Sequence, residues 1–372
     1  MQPLTRREFL RLATAGIGAV AVNQILVACD RKKLPTLTTD FVPTAAPSLE
    51  STRFIAASTT PPTETVAVTT GAVLPSPEVV PPTLTPTIVP TEVASPTITV
   101  FDSPDLVIVR NGEPEDLVRQ ALDALGGMGV FVPRGSNVIV KPNICTAYNT
   151  YEYAATTNPW VVGTLVKLCW EAGASSVKVL DYPFGGTRQD AYRISGIQEQ
   201  VEAAGGEMAD MPTDQYVRTE IPNGKSLKKA DIFKDILEAD VLINVPIAKN
   251  HGSSRLTLGM KNLMGIVLDR SAFHNRGLGQ CIADLTSRIM PTLTVVDAVR
   301  ILTRNGPTGG SLNYVEKLDT VIASPDIVAA DSYAATLFGL HPDDLDYIRA
   351  GVALGLGRSD LQNLHIQEIN IS

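Results

Sequence analysis

The sequence predicts an α/β fold: a mostly parallel sheet flanked by helices, with a small additional β excursion and a disordered linker in front. Three observations carry this prediction. Short β-branched runs alternate with helical segments from about residue 101 onward. Their β-α-β order favours parallel strands joined by right-handed crossovers. Polar and charged groups collect where the apolar strands end, which is where open α/β sheets bind their ligands.

The elements follow in order. DLVIVR (Asp105–Arg110) is a strand, and Pro114–Leu125 is a helix closed by Gly126 and Gly127. NVIVK (Asn137–Lys141) is a short apolar strand. Asn158-Pro159 opens the next helix, with Asn as N-cap and Pro at the first helical position. Val161, Val162, Leu165, Leu168 and Cys169 fall at helical spacing in it, and Gly173 ends it. SVKVLD (Ser176–Asp181) completes a β-α-β unit. Ile197–Ala204 is helical, and Met211–Lys228 is the antiparallel excursion. DVLINV (Asp240–Val245) is a buried-type strand. Leu256–Leu263 and Leu278–Ile289 are expected as helices, TLTVVD (Thr292–Asp297) and TVIAS (Thr320–Ser324) as strands. Pro325–Leu340 is a helix capped by Ser324, Pro342–Leu354 another, and His365–Ile371 an edge strand.

The first hundred residues are different material. Thr5-Arg6-Arg7-Glu8-Phe9-Leu10 is a twin-arginine pattern, followed by a weakly apolar run, Ala13 to Ala28. Such a segment is an export signal and stands outside the fold. It ends in Leu26-Val27-Ala28-Cys29, which resembles a bacterial lipobox and implies cleavage before Cys29 and lipid on its sulfur. Residues 1–28 are therefore expected as a signal peptide, and the mature chain as exported and anchored to the outer face of the cytoplasmic membrane. An uncleaved N-terminal anchor with an incidental cysteine is the other reading. Residues 34–100 hold 12 of the chain's 26 prolines and 17 threonines. Proline at that density excludes helix and central strand, so 29–100 is expected as a semi-rigid spacer at ~3 Å per residue. Residues 101–372 form the α/β domain.

Composition excludes several classes. A net charge of −8 gives no basic footprint for nucleic acid. With Cys29 lipidated, Cys145, Cys169 and Cys281 remain, too few for a disulfide scaffold. The chain contains no iron–sulfur ligand run and no glycine-rich nucleotide loop. The cofactor is unknown from sequence, and a metal is one option.

The site is expected where four strands deliver polar groups: NVIVK into Pro142, Asn143 and Cys145; SVKVLD into Asp181; DVLINV into Lys249, Asn250 and His251; TLTVVD into Asp297. Lysine is a compact charge for phosphate or carboxylate, and asparagine both donates and accepts. Taken alone, Lys141 and Asn143 also read as a strand-end lysine snorkelling to water and a turn residue. Residues 244–276 gather Lys249, His251, Lys261, Asn262 and His274 against one acid, Asp269. Gly259 and Gly265 in that stretch point to close approach by backbone or ligand. Lys141, Lys249 and Lys261 are expected to hold negative charge. His251 and His274, with Lys249, are the catalytic candidates. Asn143, Asn158, Asn244 and Asn262 orient a ligand. His251, His274, Asp181 and Asp297 are metal candidates, with Asp284 or Asp331 as further acids.

These stretches resemble a family. "VIVKPNI", "ATTNPWVVGTLVKLCWEAGASSVKVLD", "ADVLINVPIAKNHGSSRLTLGMKNLMGIVLDR", "FHNRGLGQCIADL" and "LTVVDA" are similar to the bacterial and archaeal domain of unknown function 362 (DUF 362). The resemblance implies an α/β domain whose motif positions here are Lys141, Pro142, Asn143, Asn158, Pro159, Asp181, Asn244, Lys249, His251, Gly252, Lys261, Asn262, Gly265, His274 and Asp297. Some relatives carry a ferredoxin-like iron–sulfur module, whose cysteines this chain lacks. The expected function is a membrane-tethered exported enzyme acting on a small anionic substrate. The alternative is a lipoprotein that binds such a ligand without chemistry. Oligomeric state is not legible.

Overall fold

The computed structural model describes residues 103–371. The expected signal peptide, Cys29 lipidation site and linker lie outside the described residues. Among the described residues no helix is long and apolar enough to cross a membrane.

The strands are β1 (Leu106–Arg110), β2 (Asn137–Pro142), β3 (Ser176–Val179), β4 (Glu207–Met208), β5 (Tyr216–Glu220), β6 (Lys229–Phe233), β7 (Val241–Val245), β8 (Ile247–His251), β9 (Arg255–Thr257), β10 (Leu293–Leu302), β11 (Val315–Ser324) and β12 (Ile366–Asn370). The helices are α1 (Pro114–Ala124), α2 (Pro159–Ala172), α3 (Arg188–Ile194), α4 (Ile197–Ala203), α5 (Lys234–Glu238), α6 (Gly259–Asn262), α7 (Ser271–Asn275), α8 (Leu278–Arg288), α9 (Ile327–Thr336) and α10 (Asp346–Ala353). The main sheet is ordered β12-β1-β11-β10-β7-β2-β3-β4, with β8 beside β10 and β9 beside β8. Most pairings are parallel; β11 runs antiparallel to both β1 and β10. The expected mostly parallel sheet flanked by helices is what forms, and β5–β6 is the small separate ribbon.

Strand alternation gives the sheet two apolar faces. In β2, Val138 and Val140 enter one core and Ile139 the other; in β7, Val241, Ile243 and Val245 are set against Leu242 in the same way. One core is roofed by α1, α2 and α4, the other by α6, α8, α9 and α10. Lys141 and Asn244 occupy the Ile139–Leu242 face and are direct partners across β2 and β7. A one-residue slip of register would move both to the opposite core.

Several elements depart from expectation. Leu256–Leu263 is not one helix. Residues 255–257 pair with β8, Leu258 is extended (φ −137°), and only the turn Gly259–Asn262 is helical, passing into 3-10 structure at Leu263–Ile266. The apolar spacing suited a helix, but the strand hydrogen bonds of β8 took the first turn. β8 itself was unexpected, because its polar residues hid a strand that continues β7 beyond Pro246. β10 and β11 each run ten residues, with a register shift between Ala298 and Arg300. The cap of α9 is Asp326, whose carboxylate accepts from Val328 N and Ala329 N; Ser324 instead accepts from Asp326 N. Pro342–Leu354 splits into a 3-10 turn and α10.

Candidate functional site

The carboxyl ends of β2, β3, β7 and β8 meet the α6–α7 segment around one cleft of about 380 Å³. Its walls include Asn143, Cys145, Lys249, His251, Lys261, Asn262, Arg270 and His274, together with Ile144, Tyr182, Phe184 and Met264. Lys249, His251, Lys261 and His274 therefore share one mouth although up to 25 residues separate them in the chain. Lys141 lies in the wall behind it, fully buried.

Beneath the cleft is a closed polar lattice. The Lys141 ammonium donates to Asp181 Oδ1 (2.6 Å), Pro142 O (2.9 Å) and Asn262 Oδ1 (3.2 Å). Asp181 Oδ2 also accepts from Ile144 N at 2.6 Å. Asn262 is a hub. Its Oδ1 also accepts from Asn143 Nδ2 (2.9 Å), and its Nδ2 donates to Asn244 Oδ1 (2.9 Å) and Lys141 O (3.3 Å). Asn244 in turn donates to Gly259 O at 3.0 Å. Lys249, also buried, donates to Asn143 Oδ1 (2.9 Å), Ala155 O (2.5 Å) and Pro307 O (3.0 Å). Each of these two ammonium groups thus has an acceptor for every proton. Burial pulls the pKa of both down, and Asp181 opposes the fall at Lys141.

The glycines have a physical reason. A Cβ on Gly265 would lie 2.6 Å from Lys141 Nζ and closer still to Asp181 Oδ1; one on Gly259 would lie 2.7 Å from Asp331 Oδ1. The close approach expected from the sequence is to buried carboxylates. Asp331 holds the start of α6 by accepting from Gly259 N (2.6 Å) and Met260 N (2.9 Å), and burial pushes its pKa up to about 7. α6 carries Lys261 and Asn262, so Asp331 positions both.

Lys261 differs from its neighbours. It is partly buried in the cleft wall, and among the described residues no hydrogen bond or ion pair engages its ammonium. Burial, then the charges of Lys249 and Arg270, bring its pKa down to about 8. His251 is neutral: burial, then Lys261, Lys249 and His274, press its pKa down to about 3. Its Nδ1 accepts from Ser253 N (3.1 Å) and Ser254 N (3.4 Å). This pattern assigns the ring proton to Nε2, leaving a donor rather than a base. His274 stands on α7 and is exposed at the rim. The cleft collects Lys249, Lys261 and Arg270 against one carboxylate, Asp181, which is already consumed.

The remaining candidates lie elsewhere or are committed. Asn158 caps α2 by accepting from Trp160 N at 3.0 Å and does not line the cleft. Asp297 accepts from Asn158 N (2.7 Å) and Val299 N (3.0 Å), and burial raises its pKa to about 6. Asp284 accepts from Ser226 N and Leu227 N. The proposed metal set His251, His274, Asp181 and Asp297 is therefore not assembled. Among the described residues no three His, Cys, Asp or Glu side chains are grouped to hold a metal. Asn143, Asn244 and Asn262 spend their amides on the lattice. Sequence reasoning missed Arg270, Tyr182 and Phe184. The last two lie within three residues of Asp181, and the strand-end rule would have found them. Arg270 stacks on Tyr182 (5.3 Å to the ring centroid) and donates to its carbonyl at 2.5 Å.

An α/β domain with a cation-lined cleft beyond its parallel strands is the class that fold and site define. The chain belongs to the family described as "Domain of unknown function (DUF362)", whose pattern matches residues 138–336. It is 29% identical over 248 residues to Thylakoid-associated protein sll1697 of Synechocystis sp., covering 64% of this chain and 74% of that protein. Among solved structures it is similar to the lactate racemase apoprotein of Thermoanaerobacterium thermosaccharolyticum (14% identity, TM-score 0.37, 57% of this chain). A protein from Thermotoga maritima is similar as well (12% identity, TM-score 0.38, 61% of this chain). The matched regions span 53% and 60% of those two chains' own lengths.

Proposed function

We propose that the protein binds a small anionic substrate in the Lys261 cleft and acts on it as an enzyme, held at a membrane by an N-terminal lipid on Cys29. One observation carries the binding: an ammonium without acceptor, among further cations, facing a cleft whose only carboxylate is already paired. An anion there supplies the missing acceptor. His251 Nε2–H donates to it, and Arg270 adds charge. Catalysis rests on Lys261, because a group titrating near pH 8 gives and takes protons readily under ordinary conditions. The family, which is of unknown function, supplies no reaction. The lipobox-like Leu26–Cys29 and the twin-arginine pattern support the tether.

Calorimetric titration with phosphate, sulfate and small carboxylates tests the binding; a Lys261→Met variant with undiminished affinity overturns it. Ligand copurified from the native host, analysed by mass spectrometry before and after incubation, separates the two roles. Conversion indicates an enzyme, and a tightly held unchanged anion indicates the alternative, a binding lipoprotein. Metal analysis of the same preparation reports any bound ion. Cys29→Ser should release the protein from the membrane fraction; continued sedimentation with membranes excludes the lipid anchor.

A further inference from the structure

The cleft has a second wall that charge does not explain. Phe184 lines it with 58% of its surface exposed. Tyr148, 63% exposed, does not line the cleft but lies over Gly185, which follows Phe184 in the chain. Exposed aromatic side chains at a concave site mark where apolar surface waits for a ligand. The backbone fixes this pair. Phe184 N donates to Cys145 O (3.0 Å), Ala147 N donates to Gly185 O (2.9 Å), and Thr146 bridges Gly185 as a parallel pair. Their exposure therefore belongs to a paired segment rather than a loose loop. A side chain on Gly185 would meet the Tyr148 hydroxyl, 2.5 Å from its Cβ position, and displace the ring from its place there. Ile144 and Met264 are buried behind the same wall, so Phe184 presents most of its accessible apolar surface.

The two walls come from different parts of the chain. The cations come from residues 249–270, and the aromatic wall from the loop after β3. Arg270 joins them through its bond to Tyr182 O. At about 380 Å³ the cleft has the volume of roughly a dozen waters at ~30 Å³ each. An inorganic oxyanion would leave most of it as water against Phe184.

Building on the anion-site reading above, we propose that the ligand is an organic anion with an apolar body, an aryl or short acyl phosphate or carboxylate. Its charged end meets Lys261, Arg270 and His251 Nε2–H, and its apolar body covers Phe184. The charged end sets position; the apolar contact sets which anion is chosen.

Titration of the full chain with methyl phosphate and phenyl phosphate, and with acetate and phenylacetate, tests this. Each pair shares its charge and differs in apolar surface. The phenyl member should bind at least about tenfold tighter, the scale of burying one ring face. Phe184→Ala should shrink that ratio severalfold, while its thermal midpoint stays near wild type because the ring is exposed. Equal affinity within each pair overturns the proposal and leaves the anion site standing. A ratio unchanged in Phe184→Ala overturns the assignment to this wall. No binding of any of the four to the wild-type protein overturns both the proposal and the anion-site reading.

Discussion

Lys141 lies behind the wall of the cleft that Lys261 lines; the two share one chemistry, yet the structure uses them oppositely. Lys141 is sealed behind the wall, its protons matched to Asp181, Pro142 O and Asn262. Lys261 lines the cleft and meets no acceptor among the described residues. Burial lowers both pKa values, but only Lys141 has a carboxylate to oppose it. The first lysine is committed to holding the fold, and the second remains free for a ligand. Counting cations near a site does not separate these roles; counting their satisfied protons does.

The sharpest break of this comparison is Lys141→Met. It leaves Asp181 buried beside Ile144 N without its cation. Removing one partner of a buried pair costs about 3–5 kcal/mol. Urea unfolding should show that loss, and a loss under about 1 kcal/mol would erase the distinction between the two lysines. Lys249→Met comes next. It strands Asn143 Oδ1, Ala155 O and Pro307 O, and each stranded group costs ~1–3 kcal/mol unless water enters. The expected loss is about 2–3 kcal/mol by the same assay.

Lys261→Met should reverse the pattern, with stability equal or higher and anion affinity down by at least about tenfold, ~1.4 kcal/mol. pH sharpens this further. The pKa of Lys261 lies at about 8 in the folded protein against an ordinary 10.5. Anion affinity should therefore fall as pH rises through about 8, and Lys261→Arg should carry affinity to higher pH. Between about 8 and 10.5 the unfolded chain binds more protons at this residue. Its contribution to stability thus rises with pH in that window, and a wild-type-minus-Lys261→Met difference in unfolding free energy should show that slope. The smallest effect expected is for His251→Ala. It removes the Nδ1 acceptor of Ser253 N and Ser254 N at a partly exposed turn, where water can substitute. Stability should change by less than ~1 kcal/mol, while affinity falls severalfold for want of the Nε2 donor.

Much of the fold was legible. β2, β3 and β7 are short β-branched runs, and the Asn158-Pro159 opening of α2 caps as predicted, with Asn158 Oδ1 accepting from Trp160 N. β8 was not assigned as a strand, because Pro246 interrupts the apolar run and Lys249, Asn250 and His251 are polar. Its strand character comes from pairing with β10, distant in sequence, and with β9, the next strand in the chain. α3 escaped because its seven residues carry little periodic signal. At the site, Lys249, His251, Lys261 and His274, which the sequence sets in one stretch, line one cleft. Asn158 and Asp297 were placed with them, but they line no part of the cleft, and Asn158 N instead donates to Asp297 Oδ2.

The sequence by itself determined the period-2 and period-3.6 patterns, and through them the parallel sheet, its two apolar faces and the rim where polar groups gather. These are local properties of alternation, branching and capping. Only the tertiary structure decided which cation is spent and which is free. Whether an ammonium finds three acceptors depends on carbonyls, amides and a carboxylate up to 121 residues away. It also depends on a register that sets Lys141 beside Asn244, and no spacing along the chain encodes that meeting.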